Sequence, residues 1–451
     1  MASDAHQETA FEAPARARSS DDDGLGARLR EARQAAGLSQ SRLAGGRFSK
    51  EYISQIERGK TRPTPETLAW LAEQLGVDTS YLTSGVSGAE RARVETALAR
   101  GEALAEAHRY AEAAEEYERV GPEAAGSADL ELRRLTGQAW ALIHVGDLTQ
   151  AVDVLQRARV LSERSEFSDV ERAGVLFHLG VARYKLSSIS TALALFGEAL
   201  ALAERSGLPC DLLRARILEW RSRGYRRLRD WTAAREDVER AVELAQGVSD
   251  LRTVANACFQ ASLVAEREGH WVVARSYAER ARAAYEELAD RANVGRLLNN
   301  LGGLTFLLGR PEEAVEYLKD SFRVALETGS EPDAGHVMLS LAEVHLDTGE
   351  TEQAESEARK ALELFAGRVD YLQGIGTAQL TLGRALLVQD RLNEAEEIFR
   401  AADSSFEQLS SVSHRAAAWV ALGDLATRRG LDAEAARLYR RAAEALQDFR
   451  F

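Results

Sequence analysis

Residues 38–63, LSQSRLAGGRFSKEYISQIERGKTRP, place polar side chains at the spacing of a helix face and flank them with bases. A helix over residues 50–58 would point Ile53 and Ile56 to one side and leave Lys50, Glu51, Ser54 and Gln55 on the other. Ser49 is placed to cap this helix and Gly59 to close it; Ser39 can cap a shorter helix over residues 40–44, with Gly45-Gly46 breaking the chain between the two. Arg58, Lys60 and Arg62 follow in a basic loop, and Gln40 and Arg47 precede the polar face. A short polar-faced helix behind a tight turn is what entry into a DNA major groove requires. Catalytic chemistry finds less support. Gly59-Lys60-Thr61 imitates the end of a phosphate-binding loop, but Ser54 stands where its first glycine belongs and no strand precedes it. Gly-x-Ser-x-Gly and His-Glu-x-x-His are absent, and none of the eight histidines has another at i+4. Cys210 and Cys258 lack the paired spacing of zinc or redox sites and read as packed thiols. No catalytic residue, metal or cofactor is expected.

Elements that would position such a helix are visible on both sides. Leu29, Arg33, Gly37-Leu38-Ser39-Gln40, Leu43-Ala44, Tyr52-Ile53-Ser54-Gln55-Ile56-Glu57-Arg58-Gly59, Pro63, Leu68, Leu71-Ala72 and Leu75-Gly76 occur in order within residues 24–85. On these residues the segment resembles a five-helix, lambda-repressor-like (XRE-class) helix-turn-helix domain. The resemblance implies that Lys50, Glu51 and Gln55 read base edges, and that Gln40 braces on phosphate or on its partner helix. Arg58, Lys60 and Arg62 would contact the DNA backbone, with Arg47, Ser49 and Ser54 completing the surface. Arg33 and Glu57 match an internal ion pair. One departure is that residues 44–49 are a residue shorter than usual, with Gly-Gly-Arg-Phe in place of an apolar-Gly turn.

Charge is unevenly distributed. Residues 24–85 hold nine Arg/Lys and six Asp/Glu, whereas residues 86–451 hold 46 against 59 in a chain of net charge −14. Bases thus gather on the segment that resembles a DNA reader, as phosphate neutralisation demands. Residues 1–23 are acidic and polar and are expected to be a disordered tail.

With 451 residues the chain exceeds a single core. Seven prolines and an Ala-, Leu-, Glu- and Arg-rich composition favour helix, and period-two apolar runs are absent, so an all-α fold is expected. No apolar stretch approaches the roughly 20 residues that cross a bilayer, and no basic-then-apolar leader opens the chain. A cytoplasmic location is expected.

Residues 86–451 repeat. Ala113, Ala151, Ala192, Ala234, Ala274, Ala314, Ala354, Ala395 and Ala435 recur every 38 to 42 positions. Twelve residues before each stands Gly, Ala or Ser; seven after, usually Ala; and five before, a glycine turn at Gly146, Gly269, Gly309, Gly349 and Gly430. Small residues at fixed offsets let antiparallel helices approach closely, the logic of a helical-hairpin array. The pattern, clearest from Leu301 to Ala314, resembles tetratricopeptide (TPR) repeats, with a period nearer 40 than 34, as in bacterial peptide-sensing (RRNPP-type) regulators. The resemblance implies a right-handed solenoid of about nine hairpins with a concave face lined by the first helix of each.

Positions 18, 15, 14, 11, 8 and 7 before each alanine then face inward. Repeat four offers Arg216, Glu219, Trp220, Arg223, Arg226 and Arg227; repeats five and six add Asn256, Phe259, Gln260, Arg296, Asn299 and Asn300; repeats two and three add Trp140, His144, Phe177, His178 and Tyr184. Asparagine amides can pair with a peptide backbone, arginine forks grip carboxylates and aromatics form apolar pockets, so an extended peptide held by its C-terminal carboxylate near repeat four would suit the set. Equally, the arginines can pair with acids of neighbouring repeats. The expectation is a transcription regulator that binds double-stranded DNA as a homodimer and takes a peptide or protein effector in its groove. The alternatives are a protein-interaction scaffold and a phosphotransfer-modulating regulator.

Overall fold

The computed structural model describes residues 21–409 and 411–447, and every regular element among them is helical. The chain divides into two compact units, one through residue 213 and one from residue 214.

The first unit opens with five short helices: α1 (Asp21–Ala35), α2 (Gln40–Ala44), α3 (Lys50–Glu57), α4 (Pro65–Leu75) and α5 (Thr79–Ser84). Leu29, Leu43, Ile53, Ile56, Leu71 and Leu82 form their common core, each no more than 1% exposed. Side-chain oxygens of Ser39, Ser49, Thr64 and Asp78 accept backbone N–H groups at the starts of α2 to α5, satisfying donors the helices cannot. Gly26 lets α1 lie against the end of α3: a Cβ there would come within 2.6 Å of the Ile56 carbonyl oxygen. Residues 21–23, within the span expected as a tail, are the first residues of α1. Residues 1–20 lie outside the described residues.

Three hairpins complete the first unit: α6 (Gly88–Glu106) with α7 (Tyr110–Arg119), then, after the short α8 (Gly121–Ala124), α9 (Ala128–Val145) with α10 (Leu148–Ser162), and α11 (Asp169–Lys185) with α12 (Ile189–Arg205). The second unit takes over within α13 (Asp211–Arg227), which pairs with α14 (Trp231–Gly247). The series continues as α15 (Leu251–Arg267) with α16 (Trp271–Glu287), α17 (Arg291–Leu307) with α18 (Pro311–Glu327), α19 (Glu331–Thr348) with α20 (Thr351–Phe365), α21 (Leu372–Val388) with α22 (Leu392–Gln408), and α23 (Val412–Arg428) with α24 (Asp432–Gln447). The described residues therefore contain nine hairpins, each with an anchoring alanine in its second helix.

The small residue twelve before that alanine meets the side chain four after it. A Cβ on Gly101, Gly180, Gly302 or Gly423 would approach Tyr117, Phe196, Leu318 or Tyr439 to between 2.5 and 2.7 Å. Where the position holds Ala or Ser instead, the residue opposite in register is Leu155, Val238, Ala278 or Ala358, none of them aromatic. The turn five before the alanine is left-handed in all nine hairpins. Five use glycine, whereas His108, Ser187, Arg229 and Asp390 adopt φ of 59°, 59°, 61° and 61°. Connecting two close helices dictates that conformation whatever side chain is present, at about 1–2 kcal/mol for a residue with a Cβ. Cys210 and Cys258 are buried free thiols.

Candidate nucleic-acid interface and solenoid groove

The polar edge of α3 is built from below. Ile53 and Ile56 enter the core, Ser49 Oγ accepts the Tyr52 N–H at 3.1 Å, and Lys50, Glu51 and Gln55 stand exposed, with Ser54 half-buried. Gln55 Oε1 accepts a hydrogen bond of 3.1 Å from Thr61 Oγ1, which ties the polar edge to the loop carrying Arg58, Lys60 and Arg62, all exposed. Beneath the edge lies Glu57, its side chain 1% exposed. Arg33 Nε and Nη2 donate to its two carboxylate oxygens at 2.5 and 3.1 Å, and Gln40 Nε2 donates at 2.8 Å. Burial alone would raise the Glu57 carboxyl; the hydrogen bonds from Arg33 and Gln40 and the charges of Arg33 and Arg30 outweigh it and hold the group below the ordinary carboxylate range. Gln40, on α2, thus braces α3 through Glu57.

The shortened turn takes its geometry from glycine. Gly45 and Gly46 adopt φ of 58° and 78°, and the Trp70 ring lies 3.1 Å from where a Gly45 Cβ would be. Trp70 also meets Phe48 edge-to-face at 5.2 Å, and the Arg47 guanidinium lies 5.6 and 5.7 Å from the two ring centroids. Sequence reasoning missed Trp70, whose signal was a large aromatic on an otherwise amphipathic α4.

In the second unit, several expected groove residues are engaged with neighbours. Arg223 Nε donates to Glu219 at 2.5 Å and its guanidinium stacks 4.5 Å from the Trp220 ring. Arg226 donates to Gln260, and Arg221 forms a two-pronged pair with Asp237 at 2.7 and 2.6 Å. Asn256 accepts from the Tyr285 hydroxyl; Asn300 accepts from Ser262 and donates to Glu266, both at 3.0 Å. Arg296 pairs with Asp333 at 3.1 Å. Of these, Arg226–Gln260, the Asn300 contacts and Arg296–Asp333 run between hairpins, and Arg296–Asp333 is the arginine–acid pairing with a neighbouring repeat that was weighed as the alternative to a ligand; the others lie within one helix or one hairpin. The buried oxygen of Asn299 has no hydrogen-bond partner among the described residues, Arg227 is exposed, and Phe259 is half-buried. Burial lowers the Arg216 pKa against the charges of Glu219 and Asp250.

The same offsets, applied to repeats five, seven and eight, reach Glu266, His336, Glu343 and Arg384, which sequence reasoning passed over. Loss of hydration among surrounding atoms pushes the Glu266 and Glu343 carboxyls upward and the His336 imidazole downward, although Glu343 and His336 keep exposed surface. Within the first unit, Tyr110 and His144 stack at 4.2 Å, and Trp140 touches His144 and His178 at 4.6 and 5.2 Å. No helix among the described residues is long and apolar enough to cross a membrane.

Residues 29–82 match the helix-turn-helix family model, and residues 293–366, 339–410 and 380–448 match tetratricopeptide-repeat models. Over 60 residues, 13% of the chain, the sequence is 45% identical to the HTH-type transcriptional regulator DdrOP3 of Deinococcus deserti; the match spans 46% of that relative's length. The apo form of the quorum sensor NprR from B. thuringiensis is similar in fold, with a TM-score of 0.60 at 14% identity over 78% of this chain and 99% of that one. A Rap protein complexed with Competence and Sporulation Factor is similar at a TM-score of 0.54 and 15% identity, over 79% and 98%. The chain thus carries a helix-turn-helix domain at its N-terminal end and tetratricopeptide repeats through residues 293–448.

Proposed function

We propose that this protein is a sequence-specific DNA-binding transcription regulator whose repeats take a peptide or protein effector, with residues 24–85 as the DNA head and residues 86–451 as the repeat domain. The observation that carries the DNA reading is the edge of α3: Lys50, Glu51 and Gln55 face solvent above a rigid base of Ile53, Ile56 and Glu57. Lys50, Glu51 and Gln55 are assigned to base edges, and Gln40, Arg47, Ser49, Ser54, Arg58, Lys60 and Arg62 to the backbone or to support of the helix. The effector reading rests on Asn299, whose buried oxygen has no hydrogen-bond partner among the described residues, beside Arg296 and Asn300 in a groove that also offers Arg216, Trp220, Arg223, Arg227, Asn256 and Phe259. An effector that prefers one arrangement of the hairpins would shift the population of DNA-competent molecules.

The test is a mobility shift on operator DNA across a salt series. Binding should weaken steeply as salt rises and be lost on replacing Lys50 and Gln55 with alanine, whereas Arg62→Ala should lower affinity for all sequences alike and reduce the salt slope by about one. Unchanged discrimination in the Lys50/Gln55 variant would sink the assignment of α3 as the reader.

A further inference from the structure

The head holds its arginines in different ways. Arg33 gives its donors to the Glu57 carboxylate, and Arg28 donates to the Leu82 and Thr83 carbonyl oxygens at 3.0 and 2.6 Å. Arg47 is exposed and is held by rings. Its guanidinium lies 5.6 Å from the Phe48 centroid and 5.7 Å from the Trp70 centroid, inside the roughly 6 Å over which a ring attracts a cation. The Arg47 side chain makes no hydrogen bond or ion pair among the described residues.

The rings are themselves fixed. Trp70, on α4, is half-buried against the core of the head and meets Phe48 edge-to-face at 5.2 Å. Phe48 in turn lies 5.2 Å from the Tyr52 ring on α3. Trp70 also closes over the turn, its ring 3.1 Å from where a Gly45 Cβ would stand. Aromatic side chains from the turn, α3 and α4 thus form one support beneath Arg47.

A carboxylate and a ring hold an arginine with different consequences. The carboxylate occupies donors and cancels charge, whereas a ring face orients the guanidinium plane and leaves its five N–H donors and its charge to an outside acceptor. In helix-turn-helix docking the first helix crosses the DNA backbone and the second enters the major groove. The turn between them therefore falls at the groove's edge, where the phosphates lie. Arg47 occupies that turn, two residues before the Ser49 cap of α3.

Resting on the reading of residues 24–85 as a DNA head, we propose that Trp70, with Phe48, is a positioning residue that holds Arg47 against a backbone phosphate. An unsupported arginine loses side-chain freedom when it grips a phosphate, and the ring clamp removes that freedom before DNA arrives. Trp70 thereby raises affinity for every sequence alike, without touching DNA.

The test is a binding cycle on a short duplex of mixed sequence, read by fluorescence anisotropy across a sodium chloride series, with melting of each full-length variant as the folding control. Phosphate contacts are sequence-independent, so the probe requires no operator. Arg47→Ala should lower affinity and reduce the salt slope by about one. Trp70→Leu should weaken binding by about three- to tenfold at the native slope, because the charge survives and its placement does not. Trp70→Phe, which keeps a ring face, should recover most of that loss. In the Arg47→Ala background, Trp70→Leu should weaken binding no further. Losses that add in the double variant, or a native salt slope in Arg47→Ala, overturn the proposal and leave the DNA reading standing. A native chain that does not bind the duplex overturns both. Should Trp70→Leu fail to fold, Phe48→Leu runs the same cycle, and an additive loss there refutes the clamp.

Discussion

Replacing Arg33 with alanine would leave the Glu57 carboxylate buried beneath α3 with Gln40 as its remaining hydrogen-bond donor among the described residues and Arg30 at 4.0 Å. Removing one partner of a buried pair typically costs about 3–5 kcal/mol, because the other charge cannot return to water. Arg33→Ala should therefore lower the melting midpoint of the head by several degrees, and DNA binding should fall with it, since Glu57 fixes how α3 sits on α1 and α2. The pair also sets an acid limit. Glu57 titrates below its unfolded value, so its contribution is complete above the ordinary carboxylate range and is lost as pH falls through the depressed folded value. Melting the native chain from pH 7 downward should show that loss, and Glu57→Gln should flatten this part of the profile while lowering stability at neutral pH. A steep acid dependence that persists in Glu57→Gln would assign it to other carboxylates.

At the scale of elements, each hairpin closes on a pair whose sizes are matched: glycine faces Tyr117, Phe196, Leu318, Phe399 or Tyr439, and alanine or serine faces a residue without a ring. Gly180→Ala should destabilise by about 1–3 kcal/mol through overpacking on Phe196, offset by about 1 kcal/mol of helix propensity. The double variant with Phe196→Leu should recover most of the loss, giving a coupling term in a thermal double-mutant cycle; additive losses would contradict the pairing. Much of this was legible, because a Gly, Ala or Ser recurring at a fixed offset from an alanine has a direct steric meaning. The turn was only half legible: Gly146 and Gly269 announce a left-handed residue, but Ser187, Arg229 and Asp390 adopt it under tertiary constraint and look ordinary in the sequence. The groove was least legible. Inward register could be counted, yet whether Arg223 is free or held by Glu219 depends on rotamers and neighbours that spacing does not encode.

At the scale of the whole molecule, charge and size together argue for action as a pair. A single head of this size buries only the roughly 600–1,000 Å² typical of one DNA-binding module, short of what tight specific binding uses, and helix-turn-helix heads reach that by engaging two half-sites about one DNA turn apart. The remaining chain is acidic, with 59 Asp/Glu against 46 Arg/Lys beyond residue 85, and repels phosphate, so on the proposed function a second head is the expected source of the added affinity. Light scattering should then give twice the 49.4 kDa chain mass. On an operator with two half-sites, inserting about 5 bp between them turns the second site to the opposite face of the duplex, and about 10 bp returns it. Affinity should fall sharply with the first insertion and recover in part with the second, the deficit measuring how far the dimer can stretch. Equal affinity for all three spacings, or for a single half-site, would mean that each head binds alone and that the specificity of α3 suffices.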